Sequence, residues 1–297
     1  GLSWANGWGG YDFGRPMVHY PQYVSTSEKR IVSGVVIPAN TSGPESLRIA
    51  LDTLFNHANA GPFFAEQLIK RLVTSNPSRP YVGRVAAAFA NNGAGVRGDM
   101  RAVIKAVLMD PEARDPAKVQ DPNWGKLREP IVRLVQWART FAVTASKDSW
   151  GLGDVSDPAT RLAQSPLHSR SVFNFFRPDF KPANAILPQQ GLVAPEMQIT
   201  NEASVTAYLN VMQYVISEAA DDVRPDYSRE LALVDTVPQL VSRCNLLLAA
   251  GQLSPATVNL IATSVASMPA SNEAEKKNRV CAAVFMTMAA PEYLVLK

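Results

Sequence analysis

The sequence predicts an all-α protein: a multi-helix assembly of about eight or nine helices, with an aromatic N-terminal arm and a long irregular central loop. Three observations carry this expectation. From residue 46 onward, apolar residues recur at i, i+3, i+4 and i+7 through most of the chain. Prolines, glycines and Ser, Asp or Asn caps stand where those stripes should begin and end. The period then fails in two stretches, 1–45 and 146–196. The expected organisation is therefore an arm over 1–45 and a single helical domain over 46–297 with a loop insertion at 146–196.

In the arm, Gly7, Gly9, Gly10, Gly14, Pro16, Pro21, Pro38 and Pro44 interrupt any regular element. Trp4, Trp8, Tyr11, Phe13, Tyr20 and Tyr23 make an aromatic cluster there, and Arg30 to Ile37 reads as one short strand. The first helical face is Leu47, Leu51, Leu54 and Phe55, with Ser46 near its start. Phe64, Leu68, Ile69, Leu72 and Val73 make a second, stopped by Asn76-Pro77, and Val82, Val85, Ala86 and Phe89 a third, ending before Gly93. Asp99 caps a fourth, with Met100, Val103, Ile104, Val107 and Leu108 on one stripe, closed by Asp110-Pro111.

Pro130 suits the first turn of the next helix, where its missing N–H costs nothing. Ile131, Leu134, Val135, Ala138, Phe141 and Ala142 should face inward from it. Prolines and glycines then break up 146–196, a stretch that Phe173, Phe175, Phe176 and Phe180 can pack from within. A helix resumes near Asn201 with Val205, Tyr208, Leu209, Met212, Val215 and Ile216 inward. Three more follow: Val237 to Ala250, ended by Gly251; Pro255 to Met268, capped by Ser254; and about Asn272 to Ala289, opening on an Asn-x-x-Glu pattern at Asn272 and Glu275.

Composition excludes several classes. At 297 residues, 46% hydrophobic and 19% charged, the chain is a packed globular one. Lys plus Arg (29) against Asp plus Glu (26) leaves +3, which gives nucleic acid no electrostatic footprint. The longest apolar run, Cys281 to Ala290, falls short of the ~20 residues of a membrane span. Gly1-Leu2-Ser3-Trp4 opens without an initiator Met, as a processed product or a fragment of a longer protein would. Cys244 and Cys281 sit among Leu, Val and Ala, the setting of ordinary core thiols.

The motifs are sparse. Gly93-Ala94-Gly95-Val96-Arg97-Gly98 spells G-x-G-x-x-G, but a helix rather than a strand precedes it, so it reads as a helix-to-helix turn and not as a dinucleotide site. A histidine base would have to be His19, His57 or His168, and no nucleophile motif accompanies any of them. Asp148, Asp154 and Asp157 match no calcium loop, and neither a metal nor a cofactor is expected. That leaves carboxylates as the candidate catalytic groups: Glu129, Glu196 and Glu202, each near a helix start, and Asp179 in the aromatic loop.

Several of these residues lie in one larger pattern. Pro62-Phe63-Phe64-Ala65-Glu66-Gln67-Leu68-Ile69-Lys70-Arg71-Leu72-Val73-Thr74-Ser75-Asn76-Pro77, then Gly95-Val96-Arg97-Gly98-Asp99, Lys126-Leu127-Arg128-Glu129-Pro130, Ser171-Val172-Phe173-Asn174-Phe175-Phe176-Arg177-Pro178-Asp179 and Gly191-Leu192-Val193-Ala194-Pro195-Glu196 follow one another in order. Together they resemble a large bacterial family known only as domain of unknown function 1800. The resemblance covers nearly the whole chain and looks like the family's later half, which makes the missing N-terminal half of the same gene product one expected partner. It implies a bacterial source and commonly export, to the periplasm, the surface or the medium. It implies no reaction.

Two functions follow as expectations. The first is an exported hydrolase acting on a polymer, above all a polysaccharide. Arg128, Glu129, Asn174, Arg177, Asp179, Glu196 and Glu202 would then converge on one cleft, with Trp4, Trp8, Tyr11, Arg128, Asn174 and Arg177 holding substrate and Glu129, Glu196, Glu202 and Asp179 as the catalytic groups. The second is a non-catalytic cell-surface scaffold or binding protein, in which the charged motif residues are caps and ion pairs.

Overall fold

The computed structural model of the chain describes residues 4–5, 10–11, 18–146, 151–169, 171–183, 185–217, 220 and 222–297. It is mostly helical, and among these residues nine helices are seven residues or longer. The chain divides into two compact units, Gly1–Glu66 with Gly83–Val103, and Gln67–Val82 with Ile104–Lys297.

In the first unit, β1 (Trp4–Ala5) pairs antiparallel with β2 (Gly10–Tyr11), and β3 (Lys29–Arg30) with β4 (Val36–Ile37). The stretch read as one strand, Arg30 to Ile37, is thus a hairpin, because a 3-10 turn at Val32–Gly34, with Ser33 at φ 59°, folds it back. Helix α1 (Gly43–Asn56) starts earlier than expected: Ser42, not Ser46, caps it by accepting from the Glu45 N–H at 3.4 Å. Its apolar stripe is exposed, with Leu47, Leu51, Leu54 and Phe55 all between 44% and 56% accessible. Three helices follow, each with residues in both units: α2 (Ala60–Leu72), α3 (Arg79–Ala90) and α4 (Met100–Met109).

The glycine-rich segment joins α3 to α4 as a turn. The side-chain oxygen of Asn91 accepts from the N–H groups of Gly93 and Gly95 at 2.8 and 2.9 Å, and that of Asn92 from Ala94 and Val96 at 2.9 and 3.2 Å. The backbone donors that would cradle a pyrophosphate are therefore already taken. Gly98 is required sterically as well as by its φ of +74°, since a Cβ there would lie 2.6 Å from the Phe55 ring. Arg97 covers the Phe55 and Phe89 rings at 5.5 and 4.9 Å and donates to the Phe55 carbonyl.

The second unit holds α5 (Pro111–Arg114), β5 (Lys126–Leu127), α6 (Pro130–Thr140), β6 (Thr144–Ala145), α7 (Ile186–Gln189), α8 (Glu202–Ile216), β7 (Val223–Arg224), α9 (Ser228–Leu231), α10 (Val237–Ala249), α11 (Pro255–Ala266), α12 (Glu273–Ala289), α13 (Pro291–Leu294) and β8 (Val295–Leu296). β5 pairs antiparallel with β8 and β6 with β7. α10, α11 and α12 pack on one another, α8 lies against α12 and α6 against α10. Trp137, Met212, Leu240, Ile261, Val284 and Tyr293 are at most 2% exposed in the core they share. Each large side chain buried there contributes about 1.5–3 kcal/mol. Cys244 and Cys281 are free and buried in it, and burial pushes the Cys244 thiol up to about 12.

Caps fall largely where the sequence put them. Asp99 accepts from the N–H groups of Arg101 and Ala102, Ser254 from Thr257 and Asn272 from Glu275. Asn201 forms a reciprocal capping box with Ser204 at the start of α8. The inward faces were less legible. Val135 and Val205, expected inside, are 40% and 44% exposed. On α6 the buried line runs through Arg133, Leu134, Trp137 and Phe141 instead, because tyrosine rings and backbone carbonyls in the second unit accept an arginine.

Candidate functional site

The charged motif residues of the second unit collect where β5 leads into α6. Gly125 begins the approach at φ +112°, with the Leu296 carbonyl 2.5 Å from where a Cβ would stand, so only glycine lets β8 come this close. Thr74, just beyond α2, donates from its hydroxyl to the Gly125 carbonyl and accepts from the Gly125 N–H, both at 3.1 Å. Asn76 clamps the other side, exchanging two 2.9 Å hydrogen bonds with the Val193 backbone just ahead of Glu196. Lys126 and Glu196 are thereby held face to face.

Lys126 is 6% exposed and lies 2.9 Å from Glu196 Oε1 and 3.7 Å from Glu129 Oε1, while donating to the Arg71 carbonyl at 2.8 Å. Arg71 reaches Glu129 Oε1 at 2.7 Å, and Gln164 donates to Glu129 Oε2 at 2.5 Å. The Arg71 guanidinium also covers the Phe176 ring, 4.9 Å from its centre. Buried Lys126, Glu129 and Glu196 and the exposed Arg71 thus balance two cations against two anions, as buried charges must be balanced. Glu196 is 2% exposed, and its Oε2 has no hydrogen-bond partner.

A second cluster starts one residue before Glu129. Arg128 and Arg133 are 8% and 5% exposed, and among the described residues neither has a carboxylate within ion-pair reach. Arg128 donates to Gln136 Oε1 at 2.7 Å and to the Leu248 carbonyl at 3.4 Å, and lies 4.8 Å from the centre of the Tyr293 ring; its Nε has no partner. Arg133 donates from Nε to the Arg128 carbonyl at 2.8 Å and covers the Tyr208 ring at 4.6 Å. Burial depresses both guanidiniums below the ordinary arginine value, though an arginine stays charged in protein. Burial likewise raises Tyr208 to about 12 and Tyr293 further. Arg133, Tyr208 and Ser204 line a partly enclosed cavity of about 130 Å³, closed otherwise mainly by apolar side chains that include Leu127, Val205 and Leu294.

Of the residues expected to converge, Arg128, Glu129 and Glu196 lie along or against the Lys126–Arg133 stretch. Asn174, Arg177 and Asp179 belong to the Phe176 loop: Asn174 is half-buried at φ +63°, whereas Arg177 and Asp179 are exposed, the Arg177 N–H donating to Gln198. Glu202 is exposed in the first turn of α8. Trp4 and Tyr11 are backbone register partners in the β1–β2 pair of the first unit, and Trp8 lies outside the described residues. Sequence reasoning missed Arg71, Gln164, Arg133 and Tyr208. Arg71 and Gln164, the latter in Gln164-Ser165-Pro166-Leu167, stood inside motifs of the family resemblance and Tyr208 on a core stripe, but nothing local marked Arg133 as buried.

The other candidates are quieter. His168 pairs with Asp154 at 3.2 Å on the surface, and among the described residues no hydroxyl hydrogen-bonds to its ring. Asp154 accepts from the Ser156 N–H and Asp157 from the Ala159 N–H and the Thr160 hydroxyl; Asp148 lies outside the described residues. No group of three or more His, Cys, Asp or Glu among the described residues could hold a metal ion, and none of their helices is long and apolar enough to cross a membrane.

The model of a family described as "Protein of unknown function (DUF1800)" matches residues 4–295, and the chain belongs to that family. No curated protein and no solved structure matches it.

Proposed function

We propose that this member of the family is a non-catalytic scaffold or binding protein whose motif carboxylates serve the fold. One observation carries the reading: Glu129 and Glu196, 6% and 2% exposed, close on the same Lys126 ammonium. A glycosidase pair must both touch the substrate, with the scissile bond and its water between them. Here a cation stands in that place.

A polysaccharide hydrolase using the same carboxylates is the competing reading, and the unpartnered Oε2 of Glu196 is the observation on its side. Glu129→Gln and Glu196→Gln separate the two. The scaffold reading expects no release of reducing ends from a polysaccharide panel by wild type or variants, and a lower Tm in both variants. A lost charge-assisted hydrogen bond of about 1.5–3 kcal/mol lowers Tm by several degrees in a unit of this size. Turnover by the wild type that falls at least ~100-fold in either variant at unchanged Tm would overturn it.

A further inference from the structure

The cavity beside Arg133 sets a buried cation among mostly apolar side chains. Its volume of about 130 Å³ is several times the ~10–15 Å³ that one water needs. Buried Arg133 is part of its lining, and most of the rest is apolar. The neighbouring hydroxyls are already spent: Tyr208 donates to the Met288 carbonyl at 3.2 Å, and Ser204 donates within its own capping turn, to the Ile199 carbonyl at 2.9 Å. That leaves Arg133, whose Nε is satisfied by the Arg128 carbonyl and whose guanidinium also hydrogen-bonds to the Tyr208 side chain, with no carboxylate within ion-pair reach among the described residues. Arg128, equally buried and with an unpartnered Nε, adds a second uncompensated positive charge. Buried cations normally carry a counter-charge, as the Lys126 cluster a few residues away does. An arginine's planar fork, presented to a cavity, matches a carboxylate's two oxygens.

We infer that this cavity binds a small carboxylate bearing a short aliphatic group, its head on Arg133 and its tail among Leu127, Val205 and Leu294. Such a group exists as a free acid or as the C-terminus of a peptide ending in an aliphatic residue. The inference goes beyond the scaffold-or-binding reading and does not depend on whether Glu129 and Glu196 act chemically.

Calorimetric titration and Tm shifts of the full chain, with butyrate, butyramide, a tetrapeptide ending in valine and its C-terminal amide, test it. Butyrate or the free-acid peptide should bind and raise Tm, while both amides do neither; whichever acid binds tighter identifies the source. Arg133→Met should weaken binding roughly 10- to 100-fold, the range of a charge-assisted pair. Val205→Trp closes the mouth without touching the guanidinium and should abolish binding. It decides the matter if Arg133→Met does not fold. Binding by neither acid, equal binding of acid and amide, or unchanged binding in Val205→Trp overturns the inference.

Discussion

Around buried Lys126, Glu129 and Glu196 are met by Lys126 and by Arg71 from the solvent side, and the charges cancel side chain against side chain. Along the same segment, Arg128 and Arg133 are buried just as deeply, yet their neighbours are two tyrosine rings, an amide and backbone carbonyls. The first arrangement is closed. Removing Lys126 strands two buried carboxylates, the costliest kind of core mutation. The second is open, its positive charge met by quadrupoles and dipoles that soften desolvation without neutralising it. Adjacent residues of one motif, Arg128 and Glu129, therefore do different work: Glu129 ties segments together through Arg71, Lys126 and Gln164, and Arg128 rests on Gln136, the Leu248 carbonyl and the Tyr293 ring.

The largest effect that could break this comparison is at its centre. Lys126→Met leaves two carboxylates around an apolar side chain and should cost about 3–5 kcal/mol in urea denaturation. A loss below about 1 kcal/mol would mean that the cluster does not hold the fold. Arg133→Met removes an equally buried cation from the open cluster, and stability should stay within about 1 kcal/mol of wild type, because the desolvation it relieves offsets the ring contact it loses. A loss as large as that of Lys126→Met would erase the distinction.

The smallest effect sharpens it by pH. Burial raises the Tyr208 hydroxyl from 10.0 to about 12, so the folded state holds its proton more tightly than the unfolded chain does. That contribution is fully present below pH 10 and is lost as pH rises towards about 12. Urea midpoints measured across that window should fall for wild type and fall less steeply for Tyr208→Phe. Tyr293 and the Cys244 thiol, which burial raises as well, contribute to the remaining slope.

Local signals in the sequence sufficed for most of the helices. The stripe of α4 and the caps Asp99, Asn201, Ser254 and Asn272 rely on residues within a turn of one another. They failed where the deciding contact was elsewhere: at Val32–Gly34, where a left-handed serine turned a strand into a hairpin, and at α1, whose stripe is helical in period yet exposed. The candidate site was legible as a set of motifs, not as an arrangement. Arg128, Glu129 and Glu196 stood out, whereas Arg133 looked like one polar residue on an amphipathic helix.

By itself, then, the sequence determined that this chain is helical, roughly where most of its longer helices lie, and that histidine and thiol chemistry have few candidates in it. Those properties follow from backbone geometry and composition, which act over a few residues or over none. Only the tertiary structure decided which charges are buried and which are answered. Arg71 meets Glu129 across 58 residues, and Glu196 meets Lys126 only because Thr74 and Asn76 pin two distant segments together. Desolvation and Coulomb energy depend on everything within a few ångströms, whatever its place in the chain, and no local pattern carries that.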